Sequence, residues 1–166
     1  MRFLIHYTGD IHQPLHGSTR VDHEYPEGDR GGNSFPVTAK DGAKNLHAVW
    51  DSVAYEFTGY PTLPFSDADW KENGEQAAAL VKKYPLSSLK DTTNLNPMTW
   101  AIESFEVTES FVYKDISEGE SLPEEYVQKA RDLAEKQIVT AGHRLANLMI
   151  SLGLNSNSVA DKFLQA

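Results

Sequence analysis

Phe3-Leu-Ile-His6-Tyr-Thr-Gly-Asp10-Ile-His12-Gln-Pro14-Leu-His16 opens the chain with a helical pattern that runs into a proline. His6 and Asp10 stand four residues apart, and on a helix that spacing stacks two side chains on one face. Pro14 lacks a backbone N–H and disfavours helical geometry at Gln13, so the helix is expected to end there. His16 then follows on the loop. Phe3, Leu4, Tyr7 and Ile11 predict a buried apolar side, with the polar pair at its edge. An imidazole, a carboxylate and a second imidazole at one helix end make a typical zinc ligand set. The spacing of four recurs in Asn45-Leu-His47-Ala-Val-Trp50-Asp51, where Asn45 is placed to cap a second helix. One such pair is weak, because helical histidines are commonly satisfied surface or core groups. Two pairs together with His16 point to a metal site.

Residues 17–44 hold five glycines and two prolines among many charges and read as one long loop, of the length that usually carries function. Within it, Ser34–Ala39 followed by Lys40-Asp41-Gly42 predicts a short β-hairpin turning at Asp41-Gly42. Gly31-Gly32 permits a tight turn or a close backbone approach to a ligand, without the spacing of a Walker or dinucleotide loop. A helix is expected over 46–57, with Leu46, Val49, Trp50, Val53 and Phe57 facing inward. Ser66-Asp-Ala-Asp69 resembles a capping box opening a helix to Lys83, which Pro85 stops. Asn96-Pro97 opens another to Tyr113, with Trp100, Phe105, Val107, Phe111 and Val112 available for packing. Ser121-Leu-Pro123-Glu124 opens the longest, to Leu152 before Gly153. Its stripe of Val127, Ala130, Ala134, Ile138, Ala141, Leu145 and Leu148 reads as core, and a short last helix is expected over 156–165. The fold class is therefore all-α, with under about a tenth of the residues in strands where roughly 20–25% is usual.

His6-x-x-x-Asp10-x-x-Gln13-Pro14-Leu15-His16, then Asp29-Arg-Gly-Gly-Asn33, then Asn45-Leu-His47-x-x-Trp50-Asp51 together resemble the S1/P1 nuclease family. The likeness continues in Trp100-Ala-Ile-Glu103-Ser104 and Ala141-Gly142-His143-Arg144-Leu145-Ala146. No single motif is specific; their joint order over most of the chain is. The resemblance implies a phospholipase C/P1 nuclease-like helical fold spanning residues 1–166 as a single domain, incomplete at its N-terminus. It implies zinc-dependent hydrolysis of phosphodiester bonds in single-stranded DNA and RNA, with 3′-nucleotidase action in many members. Carried over residue by residue, His16, His47 and Asp51 make one complete zinc site. His6 and Asp10 make half of a second, whose other ligands belong to a portion that precedes this helix in the family. Asp10 is carried over as catalytic, since its counterpart also touches a third zinc; the complete family domain holds up to three. The implied partners are a single-stranded nucleic acid or nucleotide substrate and a separate chain supplying the missing portion. Substrate-binding residues are left unassigned.

Composition bounds these expectations. The 166 residues can bury a sizeable core, and 40% apolar content argues against disorder. A net charge of −9 is wrong for a protein that grips duplex backbone by charge alone, which excludes a histone-like or repressor-like binder. It does not exclude a metallonuclease, whose bound cations lie outside that count. With no cysteine present, any metal must use His and carboxylate. No stretch has the apolar length of a membrane span. The family implies a secreted or endolysosomal setting, although neither a secretory signal nor a glycosylation sequon is visible.

Two alternatives stay open at the level of sequence. A bacterial-type zinc phospholipase C shares the fold and a similar His…Asp…Gln-Pro…His string, though Gly31-Gly-Asn33 and the Trp50-Asp51 motif favour the nuclease. A non-catalytic structural subunit would keep the scaffold after losing the further ligands. Among the other candidates, His12 points away from His6 and Asp10 on a helical wheel and is expected to be exposed or behind the ligands. His23 reads as solvated, and the resemblance does not make His143 a ligand. Glu103 is expected to make a structural hydrogen bond and Trp50 to be core. Asn33 either contacts ligand or stabilises its own turn.

Overall fold

The computed structural model describes residues 1–38, 42–57, 59 and 62–154. Its helices are α1 (Arg2–Asp10), α2 (Leu46–Asp51), α3 (Asp67–Lys83), α4 (Pro97–Val107) and α5 (Glu124–Ser151). The chain is all-α: the single β pairing among the described residues is an antiparallel bridge between Pro36 and Asn45. The expected hairpin is reduced to that bridge, with the Val37 N–H on the Lys44 carbonyl and the Leu46 N–H on the Phe35 carbonyl. Asp41 at its expected turn lies outside the described residues, as does the last helix expected over 156–165. No helix among the described residues is long and apolar enough to cross a membrane.

Most helix ends follow local chemistry. Ser66 and Asp69 form a reciprocal capping box at the start of α3, at 3.2 and 2.7 Å. Asn96 caps α4, with Pro97 in its first turn. α4 then widens into a π-helical turn, Thr108–Val112, that carries Val112 fully into the core. α5 stops at Gly153, which takes φ +71°. α2 is shorter than its apolar spacing predicts. Instead of continuing to Phe57 it ends at Asp51, because Val53, Ala54 and Tyr55 all take positive φ (54°, 49° and 71°). Left-handed backbone is strained for such residues and persists only when the surroundings impose it. Here burial of Val53 and Ala54 and a 3.0 Å bond from Arg131 to the Ala54 carbonyl do so.

The core lies between α2 and the first half of α5. Leu46, Val49 and Trp50 meet Val127, Ala130 and Ala134, closed by Leu15, Phe35 and Val112. α1 and α3 each pack on α5. Lys83 and Tyr84 fasten α3 by reaching the buried carboxylate of Glu135. Ile138, expected in the core, is 42% exposed, and Phe105, expected to be available for packing, is 50% exposed.

α1 overturns its own periodicity. Phe3 and Tyr7 are 74% and 61% exposed, stacked on each other at 5.9 Å, and Leu4 and Ile11 are only half-buried. The side that packs inward presents Thr8 and, just beyond the helix, His12. The reason is the neighbour. α5 faces this segment with Gln137 and Arg144, and buried polar groups require hydrogen-bond partners that an apolar stripe lacks.

Candidate metal centre

The five sequence candidates converge on one surface. His6 Nε2 lies 3.1 Å from Asp10 Oδ2, and Asp10 Oδ1 lies 3.6 Å from His16 Nδ1. On its other edge, His16 Nε2 lies 3.0 Å from Asp51 Oδ1, while Asp51 Oδ2 faces His47 Nε2 at 3.4 Å. The rings of His16 and His47 stack at 5.0 Å, 11° from parallel. One ligand atom each from His16, His47 and Asp51 lies within 4.8 Å of the other two. His6 and Asp10 stand beside that group without a further His or carboxylate to complete one of their own among the described residues.

The donor chemistry fits zinc. His47 donates its Nδ1–H to the Gly31 carbonyl at 2.7 Å, which fixes the tautomer and leaves the Nε2 lone pair facing Asp51. Two imidazole nitrogens and one carboxylate oxygen are a normal three-ligand set for zinc. Asp51 is itself aimed, since Gln13 Nε2 donates to its Oδ1 at 2.9 Å. Gln13 in turn accepts the Leu15 N–H, so one amide sets both the carboxylate and the loop that carries His16.

Behind these side chains, the chain from Ile11 to Pro14 is gripped carbonyl by carbonyl. Ser104 Oγ donates to Ile11 O at 2.6 Å, Gln137 Nε2 to His12 O at 3.1 Å, and Thr108 Oγ1 to Pro14 O at 3.0 Å. His12 is not exposed as one reading of the helical wheel had it, but 98% hidden. Its Nδ1 donates to Thr8 O at 2.7 Å, and its Nε2 faces a guanidinium nitrogen of Arg144 at 3.0 Å. An arginine only donates, so this imidazole is neutral. Burial, reinforced by the Arg144 charge and opposed by the bond to Thr8, lowers its pKa to about 4. Arg144 is fully buried, paired with Glu103 at 2.7 Å and bonded to the Asp91 carbonyl. Glu103 thus has the structural role expected of it. The clamp as a whole was not foreseen; an arginine interrupting the spaced apolar positions of α5 was its one signal.

The Gly31-Gly32 turn joins the loop to His47. Both residues have positive φ, and a Cβ on Gly31 would clash with the Leu15 carbonyl, while one on Gly32 would sit 3.2 Å from the His47 nitrogen. The neighbouring Asp29 carboxylate is completely buried. It accepts from Thr19, the Arg20 N–H and Tyr113 at 3.1, 3.0 and 2.7 Å. Asn33 bonds back to the Arg30 carbonyl at 3.0 Å, which supports its own turn.

The S1/P1 Nuclease family model matches residues 1–152, and the chain belongs to that family. It is similar to Endonuclease 2 of Arabidopsis thaliana, 31% identical over 150 residues that cover 87% of this chain and 48% of that protein. It is also similar to Nuclease S1 of Aspergillus oryzae (29% over 159 residues, 88% and 51%). With Nuclease P1 of Penicillium citrinum the identity is 30% over 164 residues, covering 89% and 55%. The chain spans about half the length of these curated relatives.

Proposed function

We propose that this chain is the zinc-bearing part of a nuclease that hydrolyses phosphodiester bonds in single-stranded DNA and RNA, with 3′-nucleotidase action on the same centre. The observation that carries the reading is the His47 tautomer: Gly31 holds Nδ1, so that Nε2 joins His16 and Asp51 as a ligand. A zinc ion bound by His16, His47 and Asp51 would supply Lewis-acid polarisation of the phosphoryl group and of the attacking water. The protein's own part is to aim these donors, His47 through the Gly31 carbonyl and Asp51 through Gln13. Asp10 sets one oxygen 3.1 Å from His6 and the other 3.6 Å from His16, and with His6 it would form half of a second metal site beside the complete one. His6 and Asp10 alone bind a second ion weakly. The remaining ligands are inferred to come from sequence that the relatives have and this chain does not span. Single-strand preference follows because an unpaired base is free to leave the stack and a duplex base is not.

The test is cleavage of one labelled single-stranded oligonucleotide by the chain alone and after complementation with the N-terminal half of a relative. The chain alone is expected to be slower by orders of magnitude, since His6 and Asp10 by themselves would not hold the second cation whose charge would stabilise the transferring phosphoryl group. Full activity from the chain alone refutes the need for a second portion. Inactivity even when complemented supports a structural subunit, and phosphatidylcholine cleavage in place of RNA supports a phospholipase.

A further inference from the structure

A groove of about 750 Å³ runs past the proposed metal ligands, lined by Tyr7, Asp10, His16, Glu27, Arg30 and His47 among others. Arg30 is the one lysine or arginine in that lining. The other arginines within the body of the chain are occupied: Arg20 pairs with Asp22, Glu24 and Glu118, Arg131 with Glu56, and Arg144 with Glu103. Arg30 is exposed and makes no ion pair among the described residues, in a chain whose net charge is −9. A guanidinium that stays unpaired amid so many carboxylates, and beside a site for phosphate chemistry, is available to an anion that arrives.

Its position is built. Arg30 takes φ +59°, a left-handed conformation that side-chain-bearing residues avoid unless their neighbours impose it. On one side the buried Asp29 carboxylate is held by Thr19, Arg20 and Tyr113. On the other, the Gly31 carbonyl accepts from His47, so the backbone of Arg30 is set one residue from the group that aims a metal ligand. We propose that Arg30 binds a phosphate of the single-stranded substrate next to the one being cleaved, and so fixes the register of the strand in the groove. This deepens the nuclease reading and rests on it. Glu27 lines the same groove and opposes the same phosphate.

The experiment measures equilibrium binding, by fluorescence anisotropy, of a labelled single-stranded phosphorothioate oligonucleotide to the zinc-loaded chain over a series of salt concentrations. Arg30→Asn removes the charge with a residue that tolerates left-handed backbone, and Arg30→Lys restores it. Arg30→Asn is expected to weaken binding about 10-fold and to lower the log–log salt slope by about 0.7, the share of one single-strand phosphate contact. Arg30→Lys should recover the slope, and Glu27→Gln should tighten binding, with zinc content unchanged in all of them. Wild-type affinity and slope in Arg30→Asn, with the parent chain binding normally, overturn the assignment of Arg30 while leaving the nuclease reading in place. If the parent chain binds no single strand, both fall together.

Discussion

His12 and His16 lie four residues apart on either side of Pro14 and meet opposite fates. His12 is enclosed, its two nitrogens committed to Thr8 and Arg144, and it is kept neutral. His16 stands on the outer surface between two carboxylates, its Nδ1 3.6 Å from Asp10 and its Nε2 3.0 Å from Asp51. Identical side chains thus serve as a rivet and as a proposed metal donor, and what separates them is which groups lie opposite. The side carrying His12 is a buried polar clamp that fixes the backbone. The side carrying His16 gains from that rigidity, because a ligand set must be held in place before an ion arrives.

The contrast is sharpest at Arg144. Exchanging it for Leu strands the Glu103 carboxylate and empties the contact to His12, and breaking a buried pair in this way typically costs about 3–5 kcal/mol. Urea denaturation should show that loss; a change below about 1 kcal/mol would mean that the clamp does not hold the fold. Gly31→Ala acts at the junction of the two sides. The clash with Leu15 and the positive φ should together remove about 1–3 kcal/mol. Displacing the Gly31 carbonyl from His47 should also weaken zinc binding by about 10- to 100-fold in a chelator competition. Unaltered zinc affinity would detach the turn from the metal centre.

Smaller effects are expected from acid and from the outer face of α1. Burial alone would raise the Asp29 carboxyl, but bonds from Tyr113, the Arg20 and Gly32 N–H groups and Thr19 outweigh it and hold the group below the usual carboxylate range. A depressed native pKa contributes stability above the unfolded value of about 3.9, and that contribution disappears as the pH falls through the native value. Wild type should therefore lose stability more steeply than Asp29→Asn below about pH 4; parallel curves in pH-dependent denaturation would contradict this. Phe3→Ser, on the 74% exposed face, should change stability by no more than about 0.5 kcal/mol. A loss comparable to that of Arg144→Leu would show that α1 packs through its apolar stripe after all.

Much of this was legible in the sequence where a local rule controls the outcome. Pro14, the Ser66-Asp69 box, Asn96-Pro97 and Gly153 mark helix boundaries by their own chemistry, and the spacing of His6, Asp10, His47 and Asp51 anticipates their neighbourhood. The failures are tertiary. Periodicity assigned the inner face of α1 to Phe3 and Tyr7, but the polar groups of Gln137 and Arg144, more than a hundred residues away, select Thr8 and His12. The early end of α2 depends on burial of Val53 and Ala54 and on the reach of Arg131, none of which is a pattern along the chain. That Gly31 orients His47 is likewise not written in the glycine pair, which by itself implies only a turn or a close approach.

The proposal on which the rest depends is that His16, His47 and Asp51 hold zinc. Elemental analysis of the purified chain and of His47→Ala at neutral pH tests it most directly. About one zinc per wild-type chain is expected, with stoichiometric zinc absent from the folded variant. Equal zinc in the two proteins, or none in wild type supplied with the metal, would contradict the assignment.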